Sequence, residues 1–290
     1  MDKRRARAIL TGALFFVFVV FFVVGGEYSL EKVWETPRIL QVPESVLYDP
    51  GTGFIYVSNI NGNPGAKDGN GFISRLSVDG KIVSLKWATG LNAPKGMAVY
   101  KGKLYVSDVD TLVCIDLSSG KVLKRIPAAG AVFLNDVAVD QDGNVYVSDS
   151  SGKNSVIYRV REGKAEIWLK GGEIRNPNGL FYSNGTLYVG TFSGGGKILA
   201  VNVRTGEITV VAEVGHGIDG LILDKEGFFL ISDWRGKTEL VTKDGKINLL
   251  LDTTDRKINA ADLGYIPGKK IILVPTFFDN RVVAYRLVTR

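Results

Sequence analysis

Four residues with oxygen-bearing side chains recur at matching places in the sequence, each two positions ahead of a pair of apolar residues. They are Glu44, Asn135, Asn178 and Asp219. Carboxylate and amide oxygens are the ligands that hard divalent cations such as Ca²⁺ and Mg²⁺ prefer in proteins. The four residues are therefore candidates for a metal centre built from oxygen ligands.

The composition excludes several other kinds of site. The chain of 290 residues contains one histidine, His216, and one cysteine, Cys114. These counts exclude two-histidine zinc sites, histidine dyads, intrachain disulfides and cysteine clusters. The net charge is +6, but half of it belongs to residues 1–26, and the remainder shows no basic stripe interleaved with aromatic residues. We therefore expect no nucleic-acid partner.

The candidate ligands belong to a repeated unit of sequence. Each unit has an alternating apolar strand, a Gly/Asp turn, a second strand that ends in a string such as Tyr-Val-Ser-Asp, and two further strands. The residues at the position of Glu44 follow one another at intervals of about 40 to 50 residues, and they are Glu44, Lys95, Asn135, Asn178, Asp219 and Ala261. This period, with four strands a unit, is typical of a propeller blade.

The sequence therefore predicts an all-β fold over residues 27–290, a six-bladed β-propeller of four-stranded blades. The last unit contains only three strands. We expect residues 33–40 to supply its outer strand and close the ring.

The repeat also predicts a site. In a propeller the first strand of every blade lines the central channel, so equivalent residues form a ring at one mouth. Five of the six ring positions are polar here, and unpaired carboxylates that converge on an axis repel one another and lose solvation. A divalent cation, for which Ca²⁺ is the first expectation, would remove that cost. The alternative is that these side chains only cap the strand starts by hydrogen bonding to nearby backbone.

Four short motifs, each in its own blade, resemble a known family. They are Val-Pro-Glu-Ser-Val around Glu44, Leu-Asn-Asp-Val around Asn135, Pro-Asn-Gly-Leu around Asn178 and Ile-Asp-Gly-Leu around Asp219. Over about residues 42–288 the chain resembles the regucalcin/gluconolactonase family of calcium-dependent lactonase propellers. The Pro-Glu-Ser string is also similar, more distantly, to strictosidine-synthase-like propellers.

The resemblance implies roles for these residues. Glu44, Asn178 and Asp219 would hold the metal, with Asp219 also the candidate catalytic base, and Asn135 would contact the substrate. Where the family has an arginine two residues before that asparagine, this chain has Phe133. The departure indicates an apolar pocket wall and a less polar substrate than a sugar lactone.

Other residues near the predicted mouth have two interpretations. Lys95 is either a solvated charge on the rim or an anchor for an anionic group of the substrate. His216, which lies between two glycines, is either an exposed loop residue or a proton carrier. The aspartates that end the second strands are expected to fix turns, and these are Asp108, Asp149 and Asp233.

The first 26 residues are predicted to form a separate segment. Residues 8–26 carry no charge and follow a cluster of basic residues, which is typical of a transmembrane helix with a cytoplasmic N-terminus. We expect an anchor that contacts the membrane through residues 8–24 and holds the propeller on the extracytoplasmic side. A cleaved signal peptide, which would release a secreted propeller, is the alternative.

Two functions from different classes are compatible with these residues. The first is a hydrolase of small-molecule lactones or related esters that depends on a divalent cation. The second is a non-catalytic propeller that binds a ligand or a protein through the same mouth and keeps its metal for structure. Propellers host both kinds of function.

Overall fold

The computed structural model describes residues 27–152 and 155–289, and within them 24 strands form six antiparallel sheets of four strands each. Blade 1 contains β2 (Pro43–Asp49), β3 (Phe54–Asn59), β4 (Gly71–Ser77) and β5 (Ile82–Leu91). Blade 2 contains β6 (Pro94–Tyr100), β7 (Lys103–Asp108), β8 (Thr111–Asp116) and β9 (Val122–Pro127). Blade 3 contains β10 (Leu134–Val139), β11 (Val145–Asp149), β12 (Val156–Arg161) and β13 (Lys164–Lys170).

The remaining blades follow the same order. Blade 4 contains β14 (Pro177–Ser183), β15 (Thr186–Thr191), β16 (Lys197–Asn202) and β17 (Ile208–Glu213). Blade 5 contains β18 (Leu221–Leu223), β19 (Phe229–Asp233), β20 (Lys237–Val241) and β21 (Ile247–Asp252). Blade 6 contains β22 (Gly264–Ile266), β23 (Ile271–Pro275), β24 (Val282–Thr289) and, as its outer strand, β1 (Tyr28–Glu35). Single turns of 3-10 helix occur at Thr254–Arg256, Pro267–Lys269 and Phe277–Asp279.

The prediction of a six-bladed propeller is confirmed, and so is closure of the last blade by an N-terminal strand. The predicted bounds of that strand were wrong. Residues 28–35, not 33–40, pair with β24, from Tyr28 opposite Thr289 to Glu35 opposite Val283. Pro37 follows the strand and cannot donate to a ladder, so the pairing stops before it.

The hydrophobic core is divided among the interfaces between blades. One cluster, for example, packs Val46, Ile55 and Val57 of blade 1 against Ile271 and Leu273 of blade 6. Five further clusters fill the other interfaces around the ring. Because every blade is packed on both sides, the six first strands are held at fixed positions around the channel.

The strand directions define two faces. We call the face where the first strands begin the ring face, since it carries Glu44 and its equivalents. The opposite face carries the turns between first and second strands and between third and fourth strands. The central channel has a volume of about 1470 Å³ and is lined from Ser45 and Asp262 down to turn residues such as Lys225 and Lys269 on the opposite face.

The predicted membrane anchor at residues 8–24 lies outside the described residues. Within residues 27–152 and 155–289, no helix is long and apolar enough to cross a membrane.

Candidate functional site

The ring residues lie in β-bulges. In blades 1 to 4 the register of the first strand against the second shifts across the ring position, as between Leu134 and Val137 on β10. A bulge adds one residue to a strand and re-aims the side chains within it. The repeated bulge therefore changes the direction of the Glu44, Asn135 and Asn178 side chains from the one that regular alternation along the strand would give.

Serine hydroxyls of the second strands fix the ring backbone from one blade to the next. Ser148 Oγ accepts the Asp136 N–H at 2.9 Å and donates to the carbonyl oxygen of Asn178 in the next blade at 2.9 Å. Ser232 Oγ likewise accepts the Gly220 N–H at 2.8 Å and donates to the Ala261 carbonyl at 2.7 Å. Each hydroxyl satisfies two buried backbone groups, so the ring positions of neighbouring blades are tied together.

Two of the three predicted metal ligands are in direct contact. The Nδ2 group of Asn178 donates to Oδ1 of Asp219 at 2.7 Å. Both side chains are buried, with 4% and 3% of their residue surfaces exposed. Burial and the neighbouring Asp262 carboxylate raise the pKa of Asp219 to about 8, although the hydrogen bond from Asn178 opposes the shift.

Three buried oxygens of the ring have no hydrogen-bond partner among the described residues. They are Oε2 of Glu44, Oδ1 of Asn135 and Oδ1 of Asn178. Such atoms are costly because they have lost water without replacing it. Burial, together with the carboxylates of Asp219 and Asp262, raises the pKa of Glu44 well above its usual range.

Lys95 lies inside the ring, so its interpretation as a solvated rim charge is wrong. Its residue surface is 1% exposed, and its ammonium donates to the Ala93 carbonyl at 3.0 Å. The ammonium also lies 4.4 Å from the centre of the Phe133 ring. Burial lowers the pKa of Lys95 to about 8, while the carboxylates of Glu44 and Asp108 oppose the shift. Phe133 thus contacts a cation of the protein itself, which limits its role as a purely apolar wall.

Apolar side chains border the ring on the ring face. Ile60, Val109 and Phe277 each follow a second strand and are buried in one cluster with Ala93 and Ala261. Ala261 occupies the ring position of blade 6 as predicted, so the ring is apolar on this side.

The predicted turn role of the second-strand aspartates is consistent with their contacts. Asp108 accepts the backbone N–H groups of Asn92 and Ala93, and Asp149 accepts those of Val132 and Phe133. These hydrogen bonds hold the loops that lead into the ring positions of blades 2 and 3.

His216 is not merely an exposed loop residue. Its Nε2 atom lies 2.8 Å from Oε2 of Glu239, and its Nδ1 atom lies 3.7 Å from Oδ2 of Asp233. The hydrogen bond to Glu239 raises the pKa of His216. The contact secures the loop that leads to Asp219, three residues further along the chain.

Two buried carboxylates outside the predicted ligand set lie one residue beyond the ring positions, and of these Asp262 had been expected beside the ring. Asp136 accepts the N–H groups of Val137 and Leu180, each at 2.6 Å, and Asp262 accepts the Ser45 hydroxyl at 2.6 Å. Both line the channel. Burial raises the pKa of Asp136 to about 7, and burial and Asp136 raise the pKa of Asp262 well above its usual range.

The repeat itself contains a sequence pattern that points to Asp136 and Asp262. The position after the ring residue holds glycine in blades 2, 4 and 5, namely Gly96, Gly179 and Gly220. A Cβ at Gly96 would lie 2.3 Å from Asp136 Oδ1, and one at Gly220 would lie 2.8 Å from Asp262 Oδ1. The glycines therefore make room for the two aspartates.

The sequence profile of the SMP-30/gluconolactonase/LRE-like region matches residues 42–253, which include every ring residue from Glu44 to Asp219. The chain belongs to this family. No curated protein matches the chain. The match confirms the resemblance that the four motifs indicated.

Solved structures share the fold of this chain. A structural-genomics protein proposed as a gluconolactonase superposes with a TM-score of 0.65 at 18% identity, over 93% of this chain and 94% of its own. A luciferin-regenerating enzyme gives 0.62 at 13% identity, over 89% and 95% of the two chains. A catalytically inactive virginiamycin B lyase from Staphylococcus aureus, solved with quinupristin, gives 0.61 at 14% identity, over 90% and 100%. At these identities the likeness concerns the fold alone.

The ring of this SMP-30/gluconolactonase/LRE-like chain has the chemistry to hold a divalent cation. Glu44, Asn135 and Asn178 each offer a buried oxygen without a partner, and Asp219 adds a carboxylate next to Asn178. Within the described residues no group of three or more His, Cys, Asp or Glu side chains is arranged to hold a metal ion. A cation here would therefore depend on the asparagine amides, which suit Ca²⁺.

Proposed function

We propose that this protein hydrolyses lactones or related esters with the help of a divalent cation, for which Ca²⁺ is the first choice. The observation that carries the proposal is the set of three unpartnered oxygens on Glu44, Asn135 and Asn178 in one buried ring. Membership of the SMP-30/gluconolactonase/LRE-like family supports the choice of reaction.

The ring residues have separate roles in the proposed reaction. Glu44, Asn178 and Asp219 would hold the cation, and Asn135 would orient the substrate. A bound divalent cation would polarise the substrate carbonyl and offset the negative charge of the two carboxylates. Lys95 already offsets part of the charge of Glu44.

Asp219 is the proposed base. As the oxygen of the attacking water bonds to the carbonyl carbon, a carboxylate oxygen of Asp219 accepts a proton from that water. The ring C–O bond of the lactone then breaks, and the proton passes from Asp219 to the departing alkoxide oxygen. The product is the open hydroxy acid.

Phe133 and its apolar neighbours direct the choice of substrate. Phe133, which stands where related propellers have an arginine, is partly exposed, although Lys95 covers part of its ring. Phe277 and Val109 are buried in the apolar cluster behind this surface. A hydroxylated or phosphorylated sugar lactone would lose hydrogen bonds to water on contact with such a surface. The proposed substrates are therefore lactones or esters with apolar substituents.

Membrane attachment belongs to the same proposal. Residues 8–24 form an uncharged apolar stretch after a basic cluster, long enough to cross the hydrocarbon region as a helix. The propeller would then be tethered on the extracytoplasmic side, with the cleaved-signal form as the alternative outcome.

A lactone panel tests the activity. The full-length protein is assayed on alkyl-substituted γ- and δ-lactones, sugar lactones and aryl esters, after chelation and after calcium is added back. Glu44→Gln and Asp219→Asn are expected to lower kcat/KM by about 100-fold or more, since each removes a metal-holding or proton-accepting carboxylate. Asn135→Ala is expected to change the ratio of kcat/KM values between substrates.

Asp142→Asn is the matched control, because Asp142 is exposed on the opposite face. If calcium binds at the ring but no substrate in the panel is hydrolysed, the propeller is a binding module with a structural metal. Hydrolysis that persists in Asp219→Asn would remove that residue from the mechanism.

A further inference from the structure

The direction of β1 determines the face from which the N-terminal segment leaves the propeller. The strand β24 runs from the ring face to the opposite face, since it follows β23 through the loop at residues 276–281. The strand β1 is antiparallel to β24, with Tyr28 beside Thr289. Tyr28 therefore lies at the opposite face, and Glu35 lies at the ring face.

Very little chain separates Tyr28 from the apolar segment. Only Gly25, Gly26 and Glu27 lie between Val24 and the first residue of β1. Three extended residues reach roughly 10 Å. If residues 8–24 enter a bilayer, the start of β1 must be held close to its surface.

Three lysines lie on one side of the channel opening on this face, in the turns of blades 5 and 6. Lys225, Lys243 and Lys269 are exposed, and all three line the channel where it opens between the turns. Within the described residues none of these three amines is paired with a carboxylate. They are free to contact an anionic surface.

The start of β1 lies beside these lysines. The Tyr28 ring packs against Phe228 with 6.0 Å between centroids, and Phe228 follows the turn that contains Lys225. The Leu287 N–H donates to the Lys270 carbonyl at 2.8 Å, next to Lys269. A membrane segment leaving from Tyr28 would thus bring the turns of blades 5 and 6 to the lipid headgroups.

Several acidic residues of the same face are turned inward. Asp49 accepts the Thr52 N–H at 2.9 Å, Asp140 accepts the Asn144 N–H at 2.9 Å, and Asp224 accepts the Glu226 N–H at 2.7 Å. Their carboxylates fix the turns and are buried. Glu226, which is exposed, is paired with Lys270. Asp142 and Asp244 are exposed on the same face, and Asp244 accepts the Thr242 hydroxyl. Among the described residues, Lys225, Lys243 and Lys269 supply unpaired positive charge at the rim of the channel.

We infer that the opposite face of the propeller rests on an anionic lipid bilayer, with Lys225, Lys243 and Lys269 against the lipid phosphates. The ring face, with the candidate site, then points away from the membrane towards water. This inference rests on the anchoring part of the proposed function and is independent of the lactonase activity.

Spin labels on the two faces test the inference in the full-length protein. Asp142→Cys labels the opposite face and Ser193→Cys labels the ring face, at exposed positions, while the native Cys114 is buried. The protein is placed in nanodiscs of phosphatidylcholine with phosphatidylglycerol that contain a nickel-chelating lipid. We expect relaxation of the label at position 142 by the headgroup nickel to be several-fold stronger than at position 193. Equal relaxation, or the reverse order, overturns the inference.

A charge-reversal series tests the lysines. Changing Lys225, Lys243 and Lys269 together to Glu is expected to weaken relaxation at position 142, and so is replacing phosphatidylglycerol with phosphatidylcholine. The control changes Arg175, Lys237 and Lys257 on the ring face to Glu and is expected to have no effect. If lipid charge and the lysine variant leave the relaxation unchanged, the headgroup contact is refuted.

Co-elution of the protein with nanodiscs separates the hypothesis of a membrane anchor from the hypothesis that the opposite face rests on the bilayer. A full-length chain that does not co-elute with nanodiscs refutes the anchor, and the face assignment with it. A chain that co-elutes but shows no preference between positions 142 and 193 refutes the face assignment alone.

Discussion

Asn178 donates its Nδ2 hydrogen to Oδ1 of Asp219 at 2.7 Å across the interface between blades 4 and 5. This hydrogen bond fixes the amide so that its own oxygen is left without a partner in a buried position. The unpartnered amide oxygen of Asn178 and the carboxylate of Asp219 are the kinds of oxygen that Ca²⁺ prefers as ligands.

Calcium is expected to raise the melting temperature of the protein, because a ligand that binds only the native state stabilises it. Asp219→Ala should abolish the increase, since it removes the carboxylate beside Asn178. Differential scanning calorimetry with and without calcium measures the effect, with Asp142→Asn as the control. A full calcium shift in Asp219→Ala would place the ion at another site.

Stability without a metal is expected to fall as pH rises from about 4 to 8. Burial raises the pKa of Asp136 to about 7 and of Asp219 to about 8, from ordinary values of 3.8. In this window the native state binds more protons than the unfolded state, so the free energy of unfolding decreases with pH.

Denaturant titrations at several pH values in chelator measure this slope. Calcium should reduce the slope, because the cation replaces the protons as the compensating charge, and Asp219→Asn should reduce it without calcium. A flat or rising profile between pH 4 and 7 in chelator would contradict the prediction.

Lys95→Met is expected to destabilise the metal-free protein as pH rises and Glu44 ionises, because the variant removes a cation that favours the charged form of this buried carboxylate. Lys95 is the cation that opposes the raised pKa of Glu44. Calcium should stabilise Lys95→Met more than the wild type, since the ion supplies the missing positive charge. Chemical denaturation with and without calcium measures the difference, and an equal calcium effect in both proteins would contradict it.

Ser148→Ala is expected to destabilise the protein by about 1–3 kcal/mol, the cost of leaving buried backbone groups unpaired. The Ser148 hydroxyl joins the Asp136 N–H to the Asn178 carbonyl, so the variant should also weaken calcium binding. Ser193→Ala, at an exposed position, is the control. Calorimetric titration checks the binding, and unchanged calcium affinity would show that the ring does not depend on this hydroxyl.

The repeat period in the sequence was enough to predict the propeller, since each blade is a local unit of four consecutive strands. The ring positions could be predicted for the same reason. Glu44, Asn178 and Asp219 stand at one place in the repeat, and one place in the repeat becomes one level of the channel. The turn roles of Asp108 and Asp149 also follow from local sequence, because their partners lie within 17 residues along the chain.

Only the tertiary structure determined the features that depend on contacts between blades. Three contacts of this kind join residues that are distant in the sequence. They are the contact of Lys95 with Phe133, that of His216 with Glu239, and that of Asp262 with Ser45 near the opposite end of the chain. The bounds of β1 were also decided by pairing with β24, more than 240 residues away. Local sequence sets which side chains a strand presents, but burial and charge depend on which strands the closed ring brings together.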